Sequence, residues 1–165
     1  MRPPRVARSR FLPMLKLTKR TEYGLIALLR LAETPGDVVS VREIGERYPV
    51  PLRLMGEALK ALHHAGVVDS ARGAGGGFWL AKTPEEITLG EVVAALEGAP
   101  SLTSCADLGA SSKDGSCDVQ DICPIRSPLQ SIRQGIWSLM QATTLRSLMG
   151  VSPLVPLEFS SDSSN

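Results

Sequence analysis

Between Val67 and Ala81, two short runs of strand-forming residues, Val67-Val68-Asp69-Ser70 and Gly77-Phe78-Trp79-Leu80-Ala81, are joined only by Ala71-Arg72-Gly73-Ala74-Gly75-Gly76. No other feature limits the fold as strongly. Glycine can take positive φ and lets the backbone approach a surface closely, so the segment is predicted to be an antiparallel hairpin with Arg72 at its tip.

Upstream of the hairpin the pattern is helical. From Thr18, apolar residues at Tyr23, Ile26, Ala27, Leu29, Leu31 and Ala32 recur at helical spacing until Pro35-Gly36, which predicts a first helix of about 17 residues. Ser40 is placed as an N-cap with Glu43 as its capping-box partner, opening a short second helix that Pro49-Val50-Pro51 cannot continue. Leu52, Met55, Leu59 and Leu62 then fall on one face of a third helix, which Gly66 closes. A helix, a tight turn and a second helix make a helix-turn-helix, and a hairpin after it is a wing. The expected fold is therefore mainly α with a small β wing: a winged helix-turn-helix domain plus a long C-terminal dimerisation helix.

That last helix is read from Leu129, Ile132, Ile136, Leu139, Met140, Thr143 and Met149, with Pro128 acceptable in its first turn. A partner subunit is the natural cover for its apolar stripe, and the first helix of the same chain is the alternative. Thr88 and Glu91 repeat the capping-box spacing before Val92, Val93 and Leu96, so a shorter helix ends near Gly98. The organisation expected for these 165 residues is a flexible basic leader over 1–13, a DNA-binding domain over 14–98, a cysteine loop over 99–124, a dimerisation helix over 125–149 and a disordered tail over 150–165. Met14 is an alternative start to Met1, because the organised pattern begins just after it. The longest apolar stretch, Gly24 to Ala32, is interrupted by Arg30 and is far short of the roughly 20 residues that span a bilayer. A cytoplasmic protein without a membrane partner is expected.

The 18 basic and 17 acidic residues give a net charge of +1, which by itself announces no nucleic-acid binder. The balance conceals unlike regions. The first 20 residues carry seven cations and no carboxylate, whereas Glu97 to Asp121 carries five acids against Lys113 alone. Local placement then matters more than the total. Arg53 sits near the start of the third helix, where a recognition helix places base-reading residues, and Lys60 lies two turns on. Arg72 on the wing can enter a minor groove or pair with phosphate. A solvated helix face or turn would explain each cation equally well. His63 and His64 end the third helix and complement its dipole, with a metal pair as the minority reading.

The three cysteines, Cys105, Cys117 and Cys123, have eleven and five residues between them in a Ser/Gly/Asp-rich loop. Thiolates so placed can converge on one soft metal or iron-sulfur centre. An odd count argues against a closed disulfide framework, and the absence of a CxxC disfavours a zinc ribbon. A cluster held by three thiolates still needs a fourth ligand that is not cysteine.

These residues resemble a known family. Leu17-Thr-Lys-Arg-Thr-Glu-Tyr-Gly24, Ser40-Val-Arg-Glu-Ile44, Leu62-His-His-Ala-Gly-Val-Val68, Arg72-Gly-Ala-Gly-Gly-Gly-Phe-Trp-Leu80 and Ile87-Thr-Leu-Gly-Glu-Val92 are similar to the winged-helix transcription factors of the IscR and NsrR type. The resemblance covers about residues 14–149. It implies a homodimer that crosses its long C-terminal helices, binds a palindromic operator in double-stranded DNA and holds one iron-sulfur cluster per subunit, with 2Fe-2S favoured over 4Fe-4S. It places Cys105, Cys117 and Cys123 on the cluster ligands, Arg72 and Gly73 on the wing contacts, and Ser40, Arg53 and Lys60 in the DNA-reading unit. Gly56 stands where members often carry a larger polar residue. Arg126 occupies a position where some members have a ligating histidine, and Glu22 matches an acidic ligand donated by the partner subunit in others. The function implied is a regulator, commonly a repressor, whose operator affinity follows a redox- or nitric-oxide-sensitive cluster, and not an enzyme. An iron-sulfur carrier, or a protein-binding winged helix with a thiol or zinc switch, are the alternatives.

Overall fold

The computed structural model describes residues 16–98 and 122–150. Six helices and one hairpin follow in the order α1 (Lys19–Glu33), α2 (Val41–Arg47), α3 (Leu52–His64), β1 (Val68–Ala71), β2 (Gly77–Leu80), α4 (Leu89–Leu96), α5 (Arg126–Ala142) and α6 (Leu145–Leu148). The leader, the segment carrying Cys105 and Cys117, and the tail lie outside the described residues.

The core lies where α1, α3 and α4 meet. Ala27, Leu28 and Leu31 of α1, Met55, Ala58, Leu59 and Leu62 of α3, and Val92 and Leu96 of α4 belong to one buried cluster with Val67, Val68 and Ile87. The face that α1 turns inward is offset from the expected one. Thr21, Gly24, Ala27, Leu28, Leu31 and Ala32 are buried, while Tyr23 and Ile26 are only half-buried. Small residues at Gly24 and Ala27 bring α1 close to α3, which a hydrophobicity count does not register.

Caps set the helix boundaries. Thr18 accepts from the Thr21 amide, Ser40 and Glu43 complete both halves of the expected capping box, and Thr88 accepts from the Glu91 amide. The reciprocal half at α4 does not form, because the Glu91 carboxylate pairs with Lys82 instead.

The C-terminal helix departs most from expectation. The pattern predicts one helix through Met149, but α5 ends at Ala142 and Thr144 caps the short α6. The break lets Leu145 return to the core, where it is 1% exposed. Two backbone hydrogen bonds secure it, from Leu145 N to Ile87 O at 2.8 Å and from Leu89 N to Thr143 O at 2.7 Å. Along α5 itself only Met140 is buried. No described helix is long and apolar enough to cross a membrane.

Candidate nucleic-acid interface and cysteine centre

The two faces of α3 part sharply. Met55, Ala58, Leu59 and Leu62 are wholly buried, Leu52, expected on the same face, is 45% exposed in the first turn, and the opposite face carries Arg53, Glu57 and Lys60 in solvent. Arg53 is not idle there: its Nε donates to Glu57 Oε1 at 3.0 Å, with the Arg53 side chain 89% exposed. Exposed pairs of this kind contribute little, so the guanidinium can exchange its carboxylate for phosphate or a base edge. Lys60 projects from the same face.

Ser40 begins the element that precedes α3. Its hydroxyl accepts from Glu43 N at 3.2 Å while Glu43 Oε2 accepts from Ser40 N at 2.7 Å. Hydrogen bonding to the carboxylate, from the Ser40 amide first and then from its hydroxyl, holds the Glu43 carboxyl below its ordinary value. Ser40 thus caps α2 and remains half-buried.

The hairpin pairs in the register Val68↔Leu80, Asp69↔Trp79, Ser70↔Phe78 and Ala71↔Gly77. Arg72 is exposed at the tip, and Gly73 beside it has φ of 106°, a conformation that other residues rarely adopt. Sequence reasoning missed what fixes the wing to the helices. Val39 N donates to Phe78 O at 3.0 Å and Phe78 N to Val39 O at 2.9 Å, an isolated antiparallel bridge just before Ser40. Gly77 permits this approach, since a Cβ there would lie 2.5 Å from Val39 O. The signal was present in the β-branched pair Val38-Val39. His63 makes the second link by donating from Nδ1 to Val68 O at 3.0 Å, which ties the end of α3 to β1. The two histidine rings stand 6.1 Å apart, and among the described residues no three His, Cys, Asp or Glu side chains gather as a metal site.

Only part of the expected cysteine centre falls within the described residues. Cys123 is a half-buried free thiol just before α5. Its carbonyl accepts from Arg126 N at 3.4 Å. Glu22 stands in the first turn of α1 and pairs there with Lys19. Its side chain remains 37% exposed, so another partner can reach it. As a donor set, three thiols and a carboxylate suit an iron-sulfur centre.

The α5 surface completes the geometry. Ile125 and Ile132 are 58% and 53% exposed, Leu139 is 39% exposed, and Leu129 and Ile136 lie half-exposed among them. Spacings of three and four put the five residues on one stripe.

Comparison with known proteins agrees with this architecture. The Rrf2 family, described as iron-dependent transcriptional regulators, matches residues 17–150. The HTH-type transcriptional repressor NsrR of Streptomyces coelicolor is 30% identical over 137 residues, covering 82% of this chain and 88% of the repressor. Among solved structures, CymR, the global cysteine regulator of B. subtilis, superposes with a TM-score of 0.62 at 26% identity over 84% of this chain and 99% of CymR. IscR of T. potens superposes with a TM-score of 0.60 at 26% identity over 82% of this chain and 87% of IscR. Regulators of this kind bind DNA and are not enzymes. The match through both the winged helix-turn-helix and the C-terminal helices places this chain in the Rrf2 family of transcriptional regulators.

Proposed function

We propose that this protein is a cytoplasmic homodimeric repressor that reads a palindromic operator and alters its affinity when a cysteine-held iron-sulfur centre changes state. The observation that carries the reading is the division of α3 into a buried apolar face and an exposed face bearing Arg53 and Lys60, with the Arg72 wing tied to the same unit through Val39 and His63. In the proposed complex, α3 enters the major groove, Arg53 leaves Glu57 for a base edge, and Lys60 and Ser40 hold phosphates. Arg72 and Gly73 bring the wing against the adjacent backbone. The α5 stripe supports a symmetric dimer, in which half-sites would lie about one helical turn apart.

Cys105, Cys117 and Cys123 would hold the centre together with Glu22 of the partner subunit. When bound, an iron-sulfur cluster, of the 2Fe-2S type in this reading, supplies a redox- and nitric-oxide-reactive centre. The protein's own part is to offer three thiolates and a carboxylate, the last from the helix that packs against α3. Exposure of Glu22 and its solvent-exposed pairing with Lys19 support that role, and with three cysteines in the chain the fourth ligand is one other than cysteine. The similarity to a cysteine regulator keeps a second reading, in which the same thiols switch without metal.

Anaerobic purification with iron, sulfide and operator-binding measurements decides between them. Iron and sulfide in equal amounts, with operator affinity that differs between loaded and stripped protein, support the proposal. Loaded protein whose visible absorption and reactivity towards oxygen or nitric oxide are unaltered by Glu22→Ala would remove Glu22 from the ligand set. Protein that contains neither iron nor sulfide, yet responds to thiol oxidation, would replace the cluster reading with the metal-free one.

A further inference from the structure

Glu97 is the C-cap residue of α4, and Gly98 after it takes φ of 88°, two positions that precede the cysteine segment in the sequence. Its carboxylate does not face away from the protein. Oε1 accepts the backbone N–H of Thr18 at 2.7 Å, across 79 residues of sequence. Thr18 is the N-cap of α1, and Thr21, whose side chain is fully buried, lies one turn inside it. The Thr18 and Thr21 hydroxyls lie 3.3 Å apart beside the carboxylate, and Thr18 Oγ1 accepts from the Thr21 amide. One acid from outside the helix therefore satisfies the start of α1, where unpaired amides and the positive end of the helix dipole favour it.

The same turn of α1 leads directly to the DNA-reading helix. Gly24 is a point of close approach: a Cβ there would lie 2.8 Å from Leu96 Cδ1 of α4, 3.5 Å from Ala58 Cβ and 3.7 Å from Leu62 Cδ1 of α3. Ala58 and Leu62 lie on the back of the surface that carries Arg53 and Lys60. A displacement of α1 at Thr18–Gly24 therefore cannot be absorbed by loose packing, because interiors at this density pass strain on to their neighbours.

We infer that Glu97 is a positioning residue of the response: its carboxylate links the cysteine segment to α1, and through Gly24 to α3, so that operator affinity follows the state of the cysteines only while the bond to Thr18 is intact. This rests on the proposed cysteine-centred sensing. Coupling of this kind needs a physical joint that both sites bias, and Glu97 belongs at once to the root of the sensory segment and to the cap of the helix behind α3.

The test uses the full chain as wild type, Glu97→Ala and Glu97→Gln, each in cluster-loaded and cluster-stripped form. Operator affinity, iron and sulfide content, and hydrogen exchange of the Thr18–Tyr23 amides are read for each. Wild type is expected to differ at least about fivefold in operator affinity between the two forms, as is typical of coupled sites. Its α1 amides should differ in exchange as well. In Glu97→Ala the affinity ratio should fall towards one and the exchange difference should vanish, with iron and sulfide content retained. Glu97→Gln keeps a carbonyl acceptor but not the charge, so its ratio should fall between the two. A wild-type ratio in Glu97→Ala, or in Glu97→Gln where the alanine variant does not fold, would overturn the inference and leave Glu97 as a helix cap. Wild type that carries iron and sulfide but shows no ratio would overturn the sensing reading itself, and the coupling with it.

Discussion

Helices α3 and α5 have the same kind of sequence and opposite fates. Each carries an apolar stripe at helical spacing. In α3 Met55, Ala58, Leu59 and Leu62 are entirely covered by α1, α4 and the root of the hairpin and only Leu52, in its first turn, stays 45% exposed, whereas in α5 Ile132 and Leu139, with Ile125 just before the helix, are left in solvent and only Met140 is covered. An amphipathic helix whose apolar side is satisfied within its own chain leaves its polar side free to meet a charged polymer. One whose apolar side is unsatisfied is built for another apolar surface. In the proposed reading, the contrast separates a DNA-reading element from an assembling one.

The largest expected effect breaks the first half of the contrast. Leu59→Ala or Leu62→Ala removes a fully buried side chain from the α1–α3 contact and should cost about 2–5 kcal/mol, read as a lowered midpoint in urea unfolding. Ile132→Asp on α5 should instead leave the monomer's unfolding nearly unchanged and weaken self-association. Burial of an isoleucine is worth about 2 kcal/mol, and a two-fold interface counts it twice, so a shift to monomer by analytical ultracentrifugation is expected. Dimers unaffected by Ile132→Asp would show that the α5 stripe is covered in some other way.

Smaller effects sharpen the DNA face. Arg72→Ala should lower operator affinity by about 1 kcal/mol and reduce the slope of log affinity against log salt by about one, as loss of a phosphate contact does. Equal affinity at every salt concentration would remove the wing from the interface. Gly56→Ala adds a methyl group to open space on the exposed side of α3, so it should stabilise the fold by about 0.5–1 kcal/mol in the same unfolding assay.

A pH titration of stability distinguishes the acid that joins α4 to α1. Burial alone would raise the carboxyl of Glu97, but hydrogen bonds from the Thr21 hydroxyl and from Thr18 hold it below its ordinary value. A carboxyl lowered in the folded state contributes stability that is complete above its unfolded pKa and is lost as pH falls through the folded one. Wild type should therefore lose more stability than Glu97→Gln as pH drops below the ordinary carboxylate range. Parallel losses in the two proteins would mean that the Thr18 bond contributes nothing.

Much of the fold was legible because its signals are local. Ser40 and Glu43 lie three residues apart and cap α2 as their types require, and the glycines after Arg72 close the hairpin where positive φ and close approach demand them. The same reasoning failed wherever a side chain had a distant competitor. Glu91 has the spacing of a capping box, yet Lys82 takes its carboxylate. Thr143 and Met149 continue the period of α5, yet the chain breaks between them, where Leu145 is buried in the core with its amide bonded to Ile87 O. Of the candidate site, Arg53, Lys60 and Arg72 were visible as cations on predicted elements. The bonds that hold them in one unit, Val39 to Phe78 and His63 to Val68, were not.

The sequence by itself determined the order and type of the elements, the inward face of α3, the placement of cations on α3 and the wing, and a set of three thiols that lacks a fourth. These follow from periodicity, caps and donor chemistry, which act over a few residues. Only the tertiary structure decided that Gly24 is a point of close approach of α1 to α3 and α4, that Leu145 closes the core from the far end of the chain, and that Glu97 reaches Thr18 across 79 residues. Those contacts arise from packing and from polar groups that must find partners once buried, and neither is written in the spacing of neighbouring residues.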